Sequence, residues 1–156
     1  MSRKENILNR VEEVLRNIQT TNTYDGINFF NNDVGYVDRQ YINITEDDIL
    51  HKPNNWIILN NEGEDFEALP GGNFENKIKI QIVCFTKANE NTPNLDSIMN
   101  SLQRDIFLAM IKDETLGKLC DYVLPILIET VDEMIYPYGG FVFSMIIVYA
   151  FNKSNI

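Results

Sequence analysis

A chain of 156 residues that is 44% hydrophobic has the size of one ordinary domain and enough apolar side chains to bury a core of its own. Its formal net charge of −10 repels phosphate backbones and anionic membranes, which argues against direct nucleic-acid or lipid binding. No apolar stretch approaches the roughly 20 residues of a bilayer span, and the charged start Met1 to Asn6 runs into an amphipathic pattern rather than a signal-peptide core, so the expectation is a soluble intracellular protein.

Ile7, Leu8, Val11, Val14, Leu15 and Ile18 recur at three- and four-residue spacing and predict a first helix of about four turns, ended by Thr20 to Thr23. After a weakly patterned stretch rich in asparagine, a strand is predicted near Tyr36 to Ile44. Thr45 has the character of an N-cap opening one short turn that His51-Lys52-Pro53 closes. Trp56 to Leu59 reads as a short buried strand. Asn60 to Asn73 reads as an acidic, turn-rich connection containing Pro70-Gly71-Gly72.

Lys77 to Phe85 alternates as a strand does, with Ile78, Ile80, Ile82 and Cys84 on one face; Val83 and Phe85 on the other predict covering on both sides at that end. Thr92-Pro93-Asn94 opens a second helix that runs to about Lys112, with Leu95, Ile98, Met99, Leu102, Ile106, Ala109 and Met110 on its buried face. Tyr122 to Val131 is a strand in which Pro125 demands an edge or a bulge, because proline cannot donate to the ladder. Tyr136 to Gly140 reads as a turn, and Phe141 to Phe151, apolar on both faces, as an interior strand. The expected fold is α+β: one domain over residues 1–156, with a mainly antiparallel sheet of about four to five strands and the two helices packed on one side.

Residues capable of chemistry are sparse. A nucleophilic triad needs a base, and His51 is the lone histidine, in a predicted loop. Cys84 falls on an inward strand position, where a thiol is buried and inert; with only Cys120 beside it, reduced thiols in a cytoplasm are expected. No closely spaced cysteine or histidine pair exists for zinc, and Glu62-Gly63-Glu64-Asp65 lacks the ligand spacing of a calcium loop. The glycine pairs Gly71-Gly72 and Gly139-Gly140 lack the strand, helix and lysine of a phosphate cradle and read as turns. The expectation is a protein with no catalytic residues, no metal and no cofactor.

Three features together resemble the tail-terminator (tail-completion) proteins of bacteriophages and phage-derived tail particles. They are the order helix, sheet, long helix, two closing strands; the run Leu102 to Met110 with Asp105 inside it, followed by Asp113-Glu114-Thr115-Leu116-Gly117; and the closing apolar run Ile146-Ile147-Val148-Tyr149. The middle run is similar to that family's Asp-plus-apolar helix with a D-x-T-L-G exit. Where the family often carries a second glycine after Leu-Gly, this chain has Lys118. The likeness is best from Leu95 to Phe151 and is one of layout only from Asn22 to Asn76.

The resemblance implies a virion structural protein: a ring, commonly a hexamer, on the head-proximal end of the tail tube. Such a ring ends tube polymerisation and offers the surface to which head-completion or neck proteins dock, and in contractile tails it also meets the sheath protein. DNA would be a passing, unbound polymer; no membrane is involved. The protein would reside in the bacterial host cytoplasm during assembly and in the particle tail afterwards. Another head-tail joining protein, such as a stopper or neck component, and an unrelated small α+β binding domain remain open as alternatives.

Between Thr45 and Leu69, seven carboxylates, Glu62, Glu64 and Asp65 among them, are opposed by Lys52 alone. In a ring that conducts DNA, Glu62, Glu64 and Asp65 would line a lumen to which the polyanion does not stick. The competing reading has the same charges facing solvent outside the ring, where they serve solubility.

Overall fold

The computed structural model describes residues 2–24, 27–39, 44–52, 54–132 and 134–153. Helix α1 (Arg3–Arg16) starts at Ser2, whose hydroxyl accepts the Glu5 N–H at 3.2 Å, and its buried face is the expected stripe from Ile7 to Leu15. It ends two residues before Ile18, which is nevertheless fully buried. A small hairpin of β1 (Thr23–Tyr24) and β2 (Ile27–Asn28) follows, then β3 (Tyr36–Arg39). The rest of the strand expected to Ile44 falls on 40–43, outside the described residues. Thr45 caps α2 (Glu46–His51) through a reciprocal capping box with Asp48.

The sheet has the order β3, β4, β5, β7, β6, where β4 is Trp56–Leu69, β5 Asn73–Lys87, β6 Tyr122–Thr130 and β7 Tyr138–Asn152. All pairings are antiparallel except β3 with β4. Helix α3 (Leu95–Lys112) begins at the predicted Asn94 cap and packs with α1 on one face of the sheet, over Ile57, Leu59, Ile78, Ile80, Ile82 and Cys84. The opposite face is covered at one end, as Val83 and Phe85 required. There they pack with Trp56 and Ile58 beneath Ile49 of α2 and Met134. The α+β architecture is therefore the expected one. Pro125 lies on the edge strand β6, which has a bulge at Ile126.

Two sequence expectations are corrected. Asn60 to Asn73 is not a loop: β4 continues to Leu69, and only Pro70 to Gly72 turn the chain into β5. The outer half of this hairpin is solvated on much of both faces, so its residues carry no apolar alternation, which is the signal that reveals a strand. Gly139-Gly140 is not a turn either but the start of β7. A Cβ on Gly139 would sit 2.8 Å from Leu95 Cδ2, and one on Gly140 would sit 3.1 Å from the Cys84 carbonyl oxygen. Glycine is needed there because helix and neighbouring strand approach too closely for a side chain.

Candidate functional site

The exit from α3 accounts for Asp113, Thr115, Leu116 and Gly117 of the Asp113 to Gly117 run. Leu116, Gly117 and Lys118 all adopt the left-handed conformation, with φ of 48°, 67° and 69°. The Asp113 carboxylate accepts the Gly117 N–H at 3.0 Å and receives Arg10 of α1 at 2.9 Å, while its carbonyl accepts the Leu116 N–H at 2.8 Å. Thr115 closes the turn: its hydroxyl takes the Lys118 N–H at 3.3 Å and its carbonyl the Cys120 N–H at 3.0 Å. Leu116 is fully buried in the main core. The run thus stops the helix, ties it to α1 and plugs the core. Lys118 occupies a backbone conformation that glycine adopts freely and that costs a β-carbon-bearing residue roughly 1–2 kcal/mol.

Asp105, in the middle of α3, is fully buried yet charged in character. One carboxylate oxygen accepts the backbone N–H of Asn31 at 3.0 Å, that of Asn32 at 2.9 Å and the Asn32 side-chain amide at 2.9 Å; the other takes Arg104 at 3.0 Å. Asp105 therefore pins the asparagine-rich loop to the long helix. Its place beside the apolar run Ile106 to Ile111 was visible in the sequence, but its loop partners were not.

The three acidic residues expected to act together are separated by the strand. Glu62 is the extra residue of a bulge between Asn61 and Gly63 and is exposed. Glu64 turns to the helix face, where Lys4 of α1 and the Asn76 amide donate to its carboxylate. Burial alone would raise its pKa, but those two hydrogen bonds and the Lys4 charge outweigh it and hold the carboxyl below its ordinary value. Asp65 turns to the opposite face and pairs with Lys79 at 3.0 Å. The fully buried Asn76 also donates to the Tyr149 hydroxyl at 2.7 Å, and Arg3 lies 5.0 Å over the Tyr149 ring while donating to the carbonyls of Leu119 and Ala150. The start of α1 is thereby clamped to the hairpin and to the end of β7. Nothing in the spacing of Arg3 and Lys4 foretold this, because their partners lie far along the chain.

His51 and Cys84 are not brought together. Cys84 belongs to the core on the helix face, while His51 sits exposed on α2, which covers the other face, with its Nδ1 2.9 Å from the Asp47 carbonyl. Burial pushes the Cys84 thiol up to about 12; burial, aided by the charges of Asp121 and Asp113, does the same for Cys120. Among the described residues no three histidine, cysteine or carboxylate side chains are grouped to hold a metal ion. No described helix is long and apolar enough to cross a membrane. A cleft of about 190 Å³ between α2 and the sheet is lined by Lys52, Trp56, Phe85, Lys87 and Tyr138. Lys52 lies 4.5 Å over the Tyr36 ring and 3.6 Å from Asp38, and Lys87 lies 5.4 Å over the Tyr138 ring.

No protein-family model matches this sequence, and a search of curated proteins finds no match.

Proposed function

We propose that this protein is a structural component of a phage or phage-like tail. It would cap the head-proximal end of the tail tube as a ring and end tube growth there, with no catalytic role. The observation that carries the reading is the exit from α3. At Lys118, where the sequence departs from the resembling family's second glycine, the backbone keeps a glycine-type conformation, φ 69°. The departure is one of side chain and not of turn. The order of elements supports the same reading: an N-terminal helix, a sheet, a long helix and two closing strands. A contact that closes on itself is the physical means of stopping a polymer, because a non-closing one propagates.

Within this reading the lumen falls to Glu62 and Asp65. Glu64 is engaged with Lys4 and Asn76 in holding the hairpin to α1. The deciding experiment is tube length in particles from a strain that lacks the gene. Loss of length control is expected, and uniform tails of normal length would overturn the assignment. Lysines at Glu62 and Asp65 should leave tails assembled but slow DNA ejection, most at low salt, where screening is weakest.

A further inference from the structure

Where β4 begins, β5 stops and α3 sets off, the structure has a cleft of about 280 Å³, close to the ~300 Å³ at which small-molecule sites begin. Nine of its ten lining residues are polar and none is a carboxylate, so its local charge is that of Lys87. Two of its amides have a fixed orientation. Asn54 Oδ1 accepts the Asn55 backbone N–H at 3.1 Å, and Asn89 Oδ1 accepts the Thr92 backbone N–H at 2.8 Å. A backbone N–H can meet only the oxygen end of an amide, so the Nδ2 groups of Asn54 and Asn89 are left to donate elsewhere. Among the described residues neither has a protein acceptor, and Lys87 has no carboxylate partner; its ammonium lies 5.4 Å over the Tyr138 ring. Asn55 is engaged at both ends, taking the Thr86 hydroxyl at 2.7 Å and donating to the Asp33 carbonyl at 2.7 Å.

From this arrangement we infer that the cleft binds a small oxyanion, a carboxylate or a phosphate. Lys87 supplies the charge, and the Nδ2 groups of Asn54 and Asn89 supply directed hydrogen bonds. Asn31 and Ser97, on the same cleft, add an amide and a hydroxyl that can turn to donate. A cation would meet an ammonium and two donors there. A neutral polyol could use the amides but would gain nothing from the ammonium, whereas hydrogen bonds to an ionised acceptor are roughly twice as strong as neutral ones. The net charge of −10 does not forbid an anion, because screening confines the reach of exposed charges to ~8 Å at physiological ionic strength. Glu90 lines the adjoining cleft and not this one.

The site goes beyond the tail assignment and does not rest on it, so normal tails from the deletion strain would leave it standing. The isotope-labelled full chain is titrated with inorganic phosphate and, separately, with acetate, at an ionic strength held constant with sodium chloride. The side-chain amide resonances of Asn54 and Asn89 should shift and saturate by roughly 50 mM anion. The anion that saturates first identifies the ligand as phosphate or carboxylate. Asn54→Asp and Asn89→Asp each keep the oxygen that accepts a backbone N–H and exchange the free donor for an acceptor. Both should melt at the wild-type temperature and bind at least about tenfold more weakly, the loss of one charge-assisted hydrogen bond. Asn91→Asp adds the same charge at a residue that does not line the cleft, and should weaken binding less than about threefold. Lys87→Met, at an exposed position, should abolish the response. No saturable shift with either anion, an equal shift on adding sodium chloride alone, undiminished binding by Lys87→Met, or Asp variants no weaker than Asn91→Asp would each overturn the proposal.

Discussion

Replacing Asp105 tests whether one buried carboxylate holds the asparagine-rich loop to the long helix. Asp105→Ala removes the acceptor of two backbone N–H groups and one side-chain amide, at 2.9 to 3.0 Å. Hydrogen bonds to a charged acceptor contribute roughly 1.5–3 kcal/mol each. Asn31 is exposed and Asn32 half-buried, so water replaces part of what is lost, and about 1 kcal/mol per bond is the appropriate discount. The expected loss is therefore about 3 kcal/mol, a large share of the ~5–15 kcal/mol by which a domain is stable. At 2–4 °C per kcal/mol for a chain of this size, the melting temperature should fall by roughly 9 °C. Asp105→Asn retains one oxygen to accept from the loop and should lose only about half as much. Thermal and urea unfolding measure both, and amide exchange at Asn31 and Asn32 should quicken before the rest of the chain does. A loss below about 0.5 kcal/mol for Asp105→Ala, within the range of ordinary surface changes, would refute the pin.

Other expectations follow from single positions. Lys118→Gly should stabilise the fold by up to about 1 kcal/mol by relieving a left-handed residue, less the added freedom of the unfolded chain, and Gly117→Ala should destabilise it; thermal melts read both. Because the folded pKa of Glu64 is depressed, its contribution is present above the unfolded value near 4.5 and lost as pH falls through the folded value. Glu64→Gln should therefore lower stability at pH 7 and flatten its decline below about pH 4.5, which acid titration of the unfolding free energy measures. Neither thiol should react with Ellman's reagent at pH 8 until the chain unfolds, since burial holds both near 12; fast modification of both thiols in native protein would contradict the placement of Cys84 in the core.

Periodicity revealed the elements that have one wet and one dry face. The stripe of α1, the Asn94 start of α3 and the alternation of β5 were legible because each follows from burial on one side. The Thr45 cap was legible because its partner Asp48 is three residues away. Failures came where the determining contact is distant. Gly139-Gly140 has the composition of a turn, and only the approach of Leu95 and Cys84 shows why glycine is required inside a strand.

 The nearest atom to a Gly139 Cβ belongs to Leu95, in the first turn of α3, more than forty residues earlier in the chain. The outer half of the β4–β5 hairpin reads as a loop because neither of its faces is dry along its length, although its backbone is paired on both sides of the Glu62 bulge. The roles of Arg3, Lys4 and Asp105 were equally hidden, since each depends on a partner brought near only by the tertiary fold.

The bulge at Glu62 decides which carboxylate serves the fold and which is left for function. Up to Asn61 the odd-numbered residues of β4 face the helices, as Ile57 and Leu59 do in the main core. A regular strand would continue that order and carry Asp65 inward and Glu64 outward. The extra residue reverses the order: Glu64 lies opposite Ile78 on the helix face, and Asp65 lies opposite Lys77 on the other. Gly63 accommodates the reversal with φ of 124°, a conformation that side chains rarely adopt. Glu64 can meet Lys4 and Asn76 only because of this shift, and Asp65 can meet Lys79 only for the same reason. An acidic run that reads as a single patch in sequence is thus divided by one inserted residue into a structural clamp on one face and solvent-facing charge on the other. Any channel-lining role must then rest on Glu62 and Asp65, because drawing Glu64 into it would release α1 from the hairpin.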